Sequence, residues 1–293
     1  MSESAKGQLS ILVCAILWST SGLFIKLLDW NPLVIAGGRS MLAAIFLILI
    51  RPIVREKSAP GGVTITPCFI ASGIVYAATM LLFVTANKHT TSANAILLQY
   101  GAPIWAALLG WALAGEKPRR EHWFALAAVI IGLCIFFKDG LSGGGITGDI
   151  LAVISGITFG AHSVFMRLQK NANPADSMAL AHIICTAFAL PFAIRHPPVF
   201  TSTSTAVILF MGIVQLGCAS FFFSYGIKRV TAVRTMLTCT IEPVLNPLWV
   251  FVVTGERPDL WAVIGGIIIV SAVLSSSLAG RLKPPKHFFS VQQ

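Results

Sequence analysis

Ten long apolar runs divide the chain: residues 8–28, 32–50, 67–86, 91–114, 121–138, 148–168, 175–195, 206–226, 231–254 and 259–279. Each is close to the ~20 residues that a helix needs to cross the hydrocarbon of a bilayer. Short polar connections rich in Pro, Gly and charge separate them, among them DWNP, GEKPRRE, QKNANP, RHPP and GERPD. Connections of that length hold no domain outside the membrane. The pattern predicts an all-α membrane protein with ten transmembrane helices. The Gly-rich stretch GLSGGGITG at mid-chain reads as a linker, since it follows no strand and precedes no GK[ST].

Composition supports the same class. Of 293 residues, 56% are hydrophobic and only 11% charged, less than half the charge of an ordinary soluble domain. The formal net charge of +10 points to nucleic acid only in a soluble protein. Here the basic residues lie between apolar runs and read as topogenic charges. With the N-terminus inside, fourteen Lys and Arg fall on the inner side: Lys6, Arg51, Arg55, Lys57, Lys117, Arg119, Arg120, Arg167, Lys170, Lys228, Arg229, Arg281, Lys283 and Lys286. Five fall outside: Lys26, Lys88, Lys138, Arg195 and Arg257. That bias predicts a multi-pass protein of the cell (inner) membrane with both termini cytoplasmic. The six cysteines sit in or beside apolar runs with no C-x-x-C pair, and read as small packing residues. The first run is too long for a signal h-region and is expected to stay as a helix.

The chain also repeats itself. Residues 100–118, YGAPIWAALLGWALAGEKP, match 240–258, TIEPVLNPLWVFVVTGERP, at an offset of 140. Pro103 pairs with Pro243, Glu116 with Glu256 and Pro118 with Pro258. An offset of 141 pairs Trp18 with Phe159, Phe24 with Phe165 and Lys26 with Arg167. Two five-helix units follow, 1–140 and 141–293. Five is odd, so the second unit enters the membrane from the opposite face, and the charges agree. An inverted-topology repeat is the architecture of many secondary transporters, in which two similar halves exchange conformations. The plainer alternative is a duplication that only built a stable bundle.

These features resemble a family. Ten helices, a five-plus-five inverted repeat, LWSTSGLFIK in the first run, and the P-x₁₁-GE ends of the fourth and ninth runs look like the EamA-type branch of the drug/metabolite transporter superfamily. The resemblance covers roughly residues 8–280. It implies export or exchange of small metabolites, often amino acids, amines or drugs, and does not name the cargo.

Glu242 sits near the middle of the ninth run, where a charge costs about 2.5–3.5 kcal/mol on insertion scales. It must therefore face other helices or a wet cavity. Pro243 frees the carbonyl of Cys239, Pro247 that of Pro243, and Pro103 that of Gln99. Freed carbonyls at mid-depth are tolerated where a cavity or a neighbouring group meets them. The breaks at Pro103, Pro243 and Pro247 are therefore expected to act as hinges beside a central cavity. Glu242 either binds a cationic group, takes up a coupling proton, or serves as a structural partner. Arg39, about two turns into the second run, either neutralises an acid or meets a substrate carboxylate. Arg234 reads as a snorkelling charge.

His162 and His182 lack a third ligand at metal spacing and read as polar core groups, with His182 the further coupling candidate. Trp18, Tyr76, Gln99, Tyr100, Trp105, Phe159 and Gln215 are candidate cavity walls, against the plainer reading that most aromatics pack or meet lipid. Trp30, Trp123 and Trp261 read as interfacial anchors. Glu116 and Glu256 end the fourth and ninth runs and read as gate anchors that bond a neighbouring helix end. No G-x-S-x-G, no H-E-x-x-H and no ATP motif occurs, so an intramembrane enzyme is disfavoured and any active transport is secondary. The expected partners are a small-molecule substrate, lipid and a coupling proton, with no cofactor, metal or nucleic acid. The chain is expected to act as a monomer or homodimer, and a multidrug exporter of lipophilic cations is the alternative cargo reading.

Overall fold

A computed structural model describes residues 1–54, 62–90, 92–138, 145–254 and 260–282. The described chain is helical. In order it forms α1 (Glu3–Ser19), α2 (Ser21–Lys26), α3 (Pro32–Val54), α4 (Pro67–His89), α5 (Ser92–Gln99), α6 (Ala102–Ala114), α7 (Arg120–Phe136) and α8 (Ile146–Leu168). There follow α9 (Pro174–Arg195), α10 (Ser202–Leu209), a π-helical segment (Phe210–Cys218), α11 (Ala219–Ile227), α12 (Ala232–Cys239), α13 (Glu242–Thr254) and α14 (Leu260–Leu282).

The apolar runs set these elements, and local chemistry sets their ends. Ser2 caps α1 by accepting from the Ala5 amide, so that helix starts five residues before the run that predicted it. Pro67 and Pro174 open α4 and α9 in the first turn, where the missing N–H costs nothing. Gly115 closes α6 in the left-handed region at φ 66°, a conformation that glycine reaches without a Cβ clash.

Seven helical segments are long and apolar enough to cross a membrane by length and composition. They are Glu3–Ile25, Pro32–Ile53, Pro67–Ala86, Asn94–Ala114, Ile146–Leu168, Pro174–Arg195 and Ser202–Ile227. The other three apolar runs are helical as well. α7 has 17 residues, α14 carries a shorter apolar stretch at Leu260–Ser276, and the ninth run is split at Thr240–Ile241. The outside of the bundle is apolar: Leu49, Phe124, Ile131, Phe188, Ile194 and Ile267 are all more than half exposed. In water such a surface would aggregate; against acyl chains it is the matching solvent.

Packing follows a paired scheme. α4 packs on α8 and α1 on α11; α4 packs on α9 and α3 on the π segment. α5 and α6 pack on α8, while α12 and α13 pack on α1. Exchanging each segment for its counterpart about 140 residues along turns one member of each pair into the other. α3 with α9 and α7 with α14 are pairs that map onto themselves.

Close approach is made by small residues, the usual device where lipid removes the hydrophobic drive between helices. α7 and α14 cross at Gly132 and Gly265: a Cβ on Gly132 would lie 2.7 Å from Ile269 Cγ1. Buried hydroxyls add hydrogen bonds, such as Thr79 Oγ1 to Thr158 Oγ1 at 2.8 Å between α4 and α8. Bonds of this kind contribute about 0.6 kcal/mol each inside a membrane. The largest core cluster holds Trp18, Tyr76, Phe159 and Phe223.

Candidate functional site

Two helices are broken at the same place. α5 and α12 are each eight residues long, α6 and α13 each thirteen, and every boundary differs by 140. The breaks share their hydrogen bonds as well. Gly101 N donates to Leu98 O at 3.2 Å and Ile104 N to Gly101 O at 3.0 Å. Ile241 N donates to Thr238 O at 3.3 Å and Val244 N to Ile241 O at 3.1 Å. Pro103 and Pro243 each stand second in the helix after the break, where a proline ring fits and its missing N–H removes the bond to the turn before.

The freed carbonyl of Gln99 meets neighbouring protein. It packs on Gly156 of α8, where a Cβ would come within 2.8 Å of it, and Gly160 takes Ala102 and Trp105 one turn on. The side chain of Gln99 turns the same way: its Nε2 donates to Ser155 Oγ at 2.9 Å, and Ser155 Oγ donates to Thr79 O at 3.1 Å. Gln99 and Trp105 are therefore held against α8.

Tyr100 and Glu242, one from each break, meet directly. Tyr100 Oη donates to Glu242 Oε2 at 2.6 Å. Glu242 is only partly exposed. Arg39 on α3 is placed in the same way, deep within the bundle with residual accessible surface. It lies within electrostatic range of Tyr76, His182 and Glu242, and makes no ion pair with Glu242 among the described residues.

Tyr76, within electrostatic range of both charges, belongs to an aromatic cluster. The Trp18 ring lies 6.4 Å from Tyr76, 6.0 Å from Phe159 and 5.5 Å from Phe223. His162 stacks on Tyr76 at 4.2 Å, and His182 meets the edge of Tyr76 at 6.0 Å. Each histidine is held by a serine: His162 Nδ1 lies 3.0 Å from Ser72 Oγ, and His182 Nε2 lies 3.1 Å from Ser220 Oγ. The π-helical turn brings in Gln215, whose Nε2 donates to Trp18 O at 3.5 Å. Several buried polar atoms have no partner: Trp18 Nε1, Arg39 Nε, His162 Nε2, His182 Nδ1 and Gln215 Oε1. Groups of this kind are ones that a bound water or a polar ligand could satisfy. Among the described residues no His, Cys, Asp and Glu group has metal-binding geometry.

Glu116 is bonded as a helix-end anchor. The turn at Gly115 aims it at α8, where Arg167 Nε donates to Glu116 Oε1 at 2.6 Å. Ala232 N donates to Glu116 Oε2 at 3.3 Å, and Arg167 also donates to the carbonyls of Ile227 and Lys228. One acid and one arginine thus tie the ends of α6, α8 and α11 to the start of α12. A second link on the same side joins Arg51 of α3 to Asp176 of α9, with bonds of 2.7 and 3.1 Å. Glu256 and the side chain of Pro247 lie outside the described residues. At the opposite end Trp30 Nε1 donates to Val199 O at 3.0 Å, and Lys138 stands 3.9 Å over the Trp261 ring.

The profile of the EamA-like transporter family matches residues 5–138 and again residues 146–278. The chain belongs to the EamA-like transporter family. It is a multi-pass membrane transporter of the drug/metabolite transporter superfamily, and not an enzyme. It is 23% identical over 282 residues to an uncharacterized transporter of Archaeoglobus fulgidus, covering 92% of this chain and 96% of that one. It is 24% identical to the uncharacterized transporter YwfM of Bacillus subtilis, covering 90% and 93%. It is also 24% identical to the pseudopaline exporter CntI of Pseudomonas aeruginosa, over 80% of this chain and 83% of that one. A solved crystal structure has the same fold, with a TM-score of 0.80 at 18% identity over 95% of this chain and 98% of that one.

Several residues of this site were not evident from the sequence. Phe223, Ser72 and Ser220 look like ordinary core residues until the fold sets them on Trp18 and the two histidines. Gly156 and Gly160 did leave a signal, since GITFG is a small-x-x-x-small pattern. Arg167 left one as well, through its pairing with Lys26 across the repeat.

Proposed function

We propose that the protein is a secondary transporter that moves a small amine-bearing metabolite, an amino acid or a related amine, by alternating access. Its ten runs form ten membrane-spanning segments in two five-helix halves, 1–140 and 141–293, of inverted topology. Both termini lie in the cytoplasm and the protein sits in the cell (inner) membrane. The bond between Tyr100 and Glu242 carries this reading. It joins the two matching helix breaks at a carboxylate that is only partly exposed. The two matches to one family profile and the paired helix contacts support the repeat.

The substrate path runs between Arg39 and Glu242 over the aromatic wall of Trp18, Tyr76 and Phe159. Glu242 takes the amine of the substrate in one half-cycle and a proton in the other, which couples export to the proton gradient. His182, with its free Nδ1, is the second group able to take that proton. The ties of Glu116 to Arg167 and of Arg51 to Asp176 close the cytoplasmic side in this conformation. Counterflow in proteoliposomes tests the reading, with labelled amino acids, amines and nucleosides offered with and without a proton gradient. Accelerated exchange of an amine-bearing solute is expected. Failure of the whole panel to exchange would refute the reading.

A multidrug exporter of lipophilic cations is the alternative. It requires a net negative cavity with Arg39 neutralised elsewhere. The lack of any carboxylate pairing with Arg39 among the described residues weighs against it.

A further inference from the structure

α1 and α11 touch at two glycines and part beside them. A Cβ on Gly7 would lie 2.5 Å from Arg229 Cβ, and one on Gly226 2.5 Å from Ile11 Cδ1. Beside this contact lies a groove of about 280 Å³, lined by Lys6, Leu9 and Val13 of α1 and by Phe221, Phe222 and Tyr225 of α11. Leu9 is half exposed, so the groove opens on the surface of the bundle. Ser10 also lines it, but its hydroxyl donates to Phe222 O at 2.8 Å. The two helices run antiparallel here, because Glu3 meets Arg229 and Ser10 meets Phe222. Lys6, Tyr225 and Arg229 therefore share one end, and Val13 and Phe221 lie about 10 Å along the helices. At the polar end Glu3 accepts from Lys6 Nζ at 2.8 Å and from Arg229 Nε at 3.0 Å. The Arg229 guanidinium also stands 3.6 Å over the Tyr225 ring. Two basic groups against one acid leave that end net positive, and the Lys6 ammonium has N–H groups beyond the one that Glu3 takes.

We propose that this groove holds one anionic phospholipid from the leaflet in which α1 begins, with its phosphate on Lys6 and Arg229 and one acyl chain along Leu9, Val13, Phe221 and Phe222. The inference depends on the chain being a membrane protein and not on its cargo. An apolar groove open to a bilayer is filled by the solvent that matches it, an acyl chain. A neutral lipid meets the apolar length equally well, so the choice of headgroup falls to the charged end. Ammonium and guanidinium groups bond phosphate oxygens, and a positive site at the membrane surface favours a lipid with net negative charge. Tyr225 stands beside that end, as an aromatic residue at headgroup level does. Glu3 is exposed, so it sets the two basic groups side by side without closing the groove. The Tyr225 ring and Glu3 already hold Arg229, which lowers the ordering cost of meeting a phosphate.

Native mass spectrometry of the delipidated full-length protein tests this, with phosphatidylglycerol and phosphatidylcholine of identical acyl chains as probes. One phosphatidylglycerol is expected to bind in preference to phosphatidylcholine. Lys6→Gln and Arg229→Gln are each expected to weaken that first binding step about fivefold, the value of one basic group at a membrane surface. Lys170→Gln, which removes an exposed charge outside the groove, is expected to leave it unchanged. sn-Glycerol 3-phosphate, which has the phosphate without the chains, is expected not to bind. Melting temperature gives a second readout: phosphatidylglycerol should raise it in the wild type and raise it less in Lys6→Gln. Lys6 is exposed, so Lys6→Gln keeps the test decisive if Arg229→Gln does not fold. The inference is overturned if the two lipids bind alike, if folded Lys6→Gln keeps the full preference, or if Lys170→Gln loses as much. It is also overturned if sn-glycerol 3-phosphate binds as tightly as the lipid, or if the protein is a lipid-free dimer that a Val13→Trp change splits, since a second copy would then fill the groove.

Discussion

Tyr100 and Glu242 lie 142 positions apart in the chain and 2.6 Å apart in space, the hydroxyl of one helix break donating to the carboxylate of the other. Neither residue copies the other in the repeat: Tyr100 aligns with Thr240, and Glu242 with Ala102. The two halves share a backbone scheme, and the chemistry at their junction is asymmetric. That asymmetry suits a carrier with one substrate orientation, because a symmetric pair of acids would bury two like charges.

Removing the tyrosine hydroxyl leaves the carboxylate without its donor. Tyr100→Phe is expected to lower counterflow kcat/KM about tenfold, as for the loss of a hydrogen bond to a charged group. Glu242→Gln is expected to lower it further and to abolish stimulation by a proton gradient. Substrate and proton compete for one carboxylate in this account. Lowering pH on the loading side should therefore raise KM in the wild type and leave it flat in Glu242→Gln. An unchanged pH profile in the variant would remove Glu242 from coupling.

The Glu116–Arg167 contact holds four helix ends together at one face. Glu116→Gln is expected to weaken that closure and admit reagent to the core. Cys14 and Cys239 are fully buried and serve as reporters, in a background where Cys68, Cys134, Cys185 and Cys218 are replaced by serine. Their reaction with a membrane-impermeant thiol reagent from the cytoplasmic side should accelerate in Glu116→Gln. Equal rates in the two proteins would show that the contact is not a gate.

Gly156 lets the α5–α6 break rest on α8. A Cβ there would stand 2.8 Å from the carbonyl of Gln99 and 3.0 Å from that of Leu98. Gly156→Val is expected to destabilise the fold by about 1–3 kcal/mol through overpacking, read as a lower melting temperature and less monodisperse protein. Gly62→Ala, with nothing within 4 Å of the added atom, is the matched control and should be neutral.

At Gly115 the expected effect is conformational. Its φ of 66° disfavours any side chain, so Gly115→Ala should cost about 1 kcal/mol. The same change is expected to turn Glu116 away from Arg167. The thiol accessibility of Cys239 should then rise along with the loss of stability.

Much of this architecture was legible because apolar runs and prolines are local signals. The ten runs fall on helices with ends within a few residues, apart from α1, whose Ser2 cap lies outside the apolar pattern. The breaks at Pro103 and Pro243 fall where ring geometry requires them. Partnership between distant residues was less legible. Gln99 and Tyr100 are adjacent in the chain, and periodicity could not say that one turns to Ser155 on α8 and the other to Glu242. The sequence marked Arg39 as too deep to snorkel, but only the folded arrangement shows that no acid among the described residues closes on it. The π-helical turn that carries Gln215 is set by tertiary packing and has no signature in the run that contains it.

The central claim is that two copies of one unit enter the membrane from opposite faces. The matching connections after α6 and α13 must then lie on opposite sides. Single cysteines at Lys117 and Arg257, in a cysteine-free background, can be labelled on intact cells with a membrane-impermeant maleimide. The account predicts rapid labelling of Arg257→Cys and labelling of Lys117→Cys only after the membrane is permeabilised. Both positions reacting from the same side would contradict it.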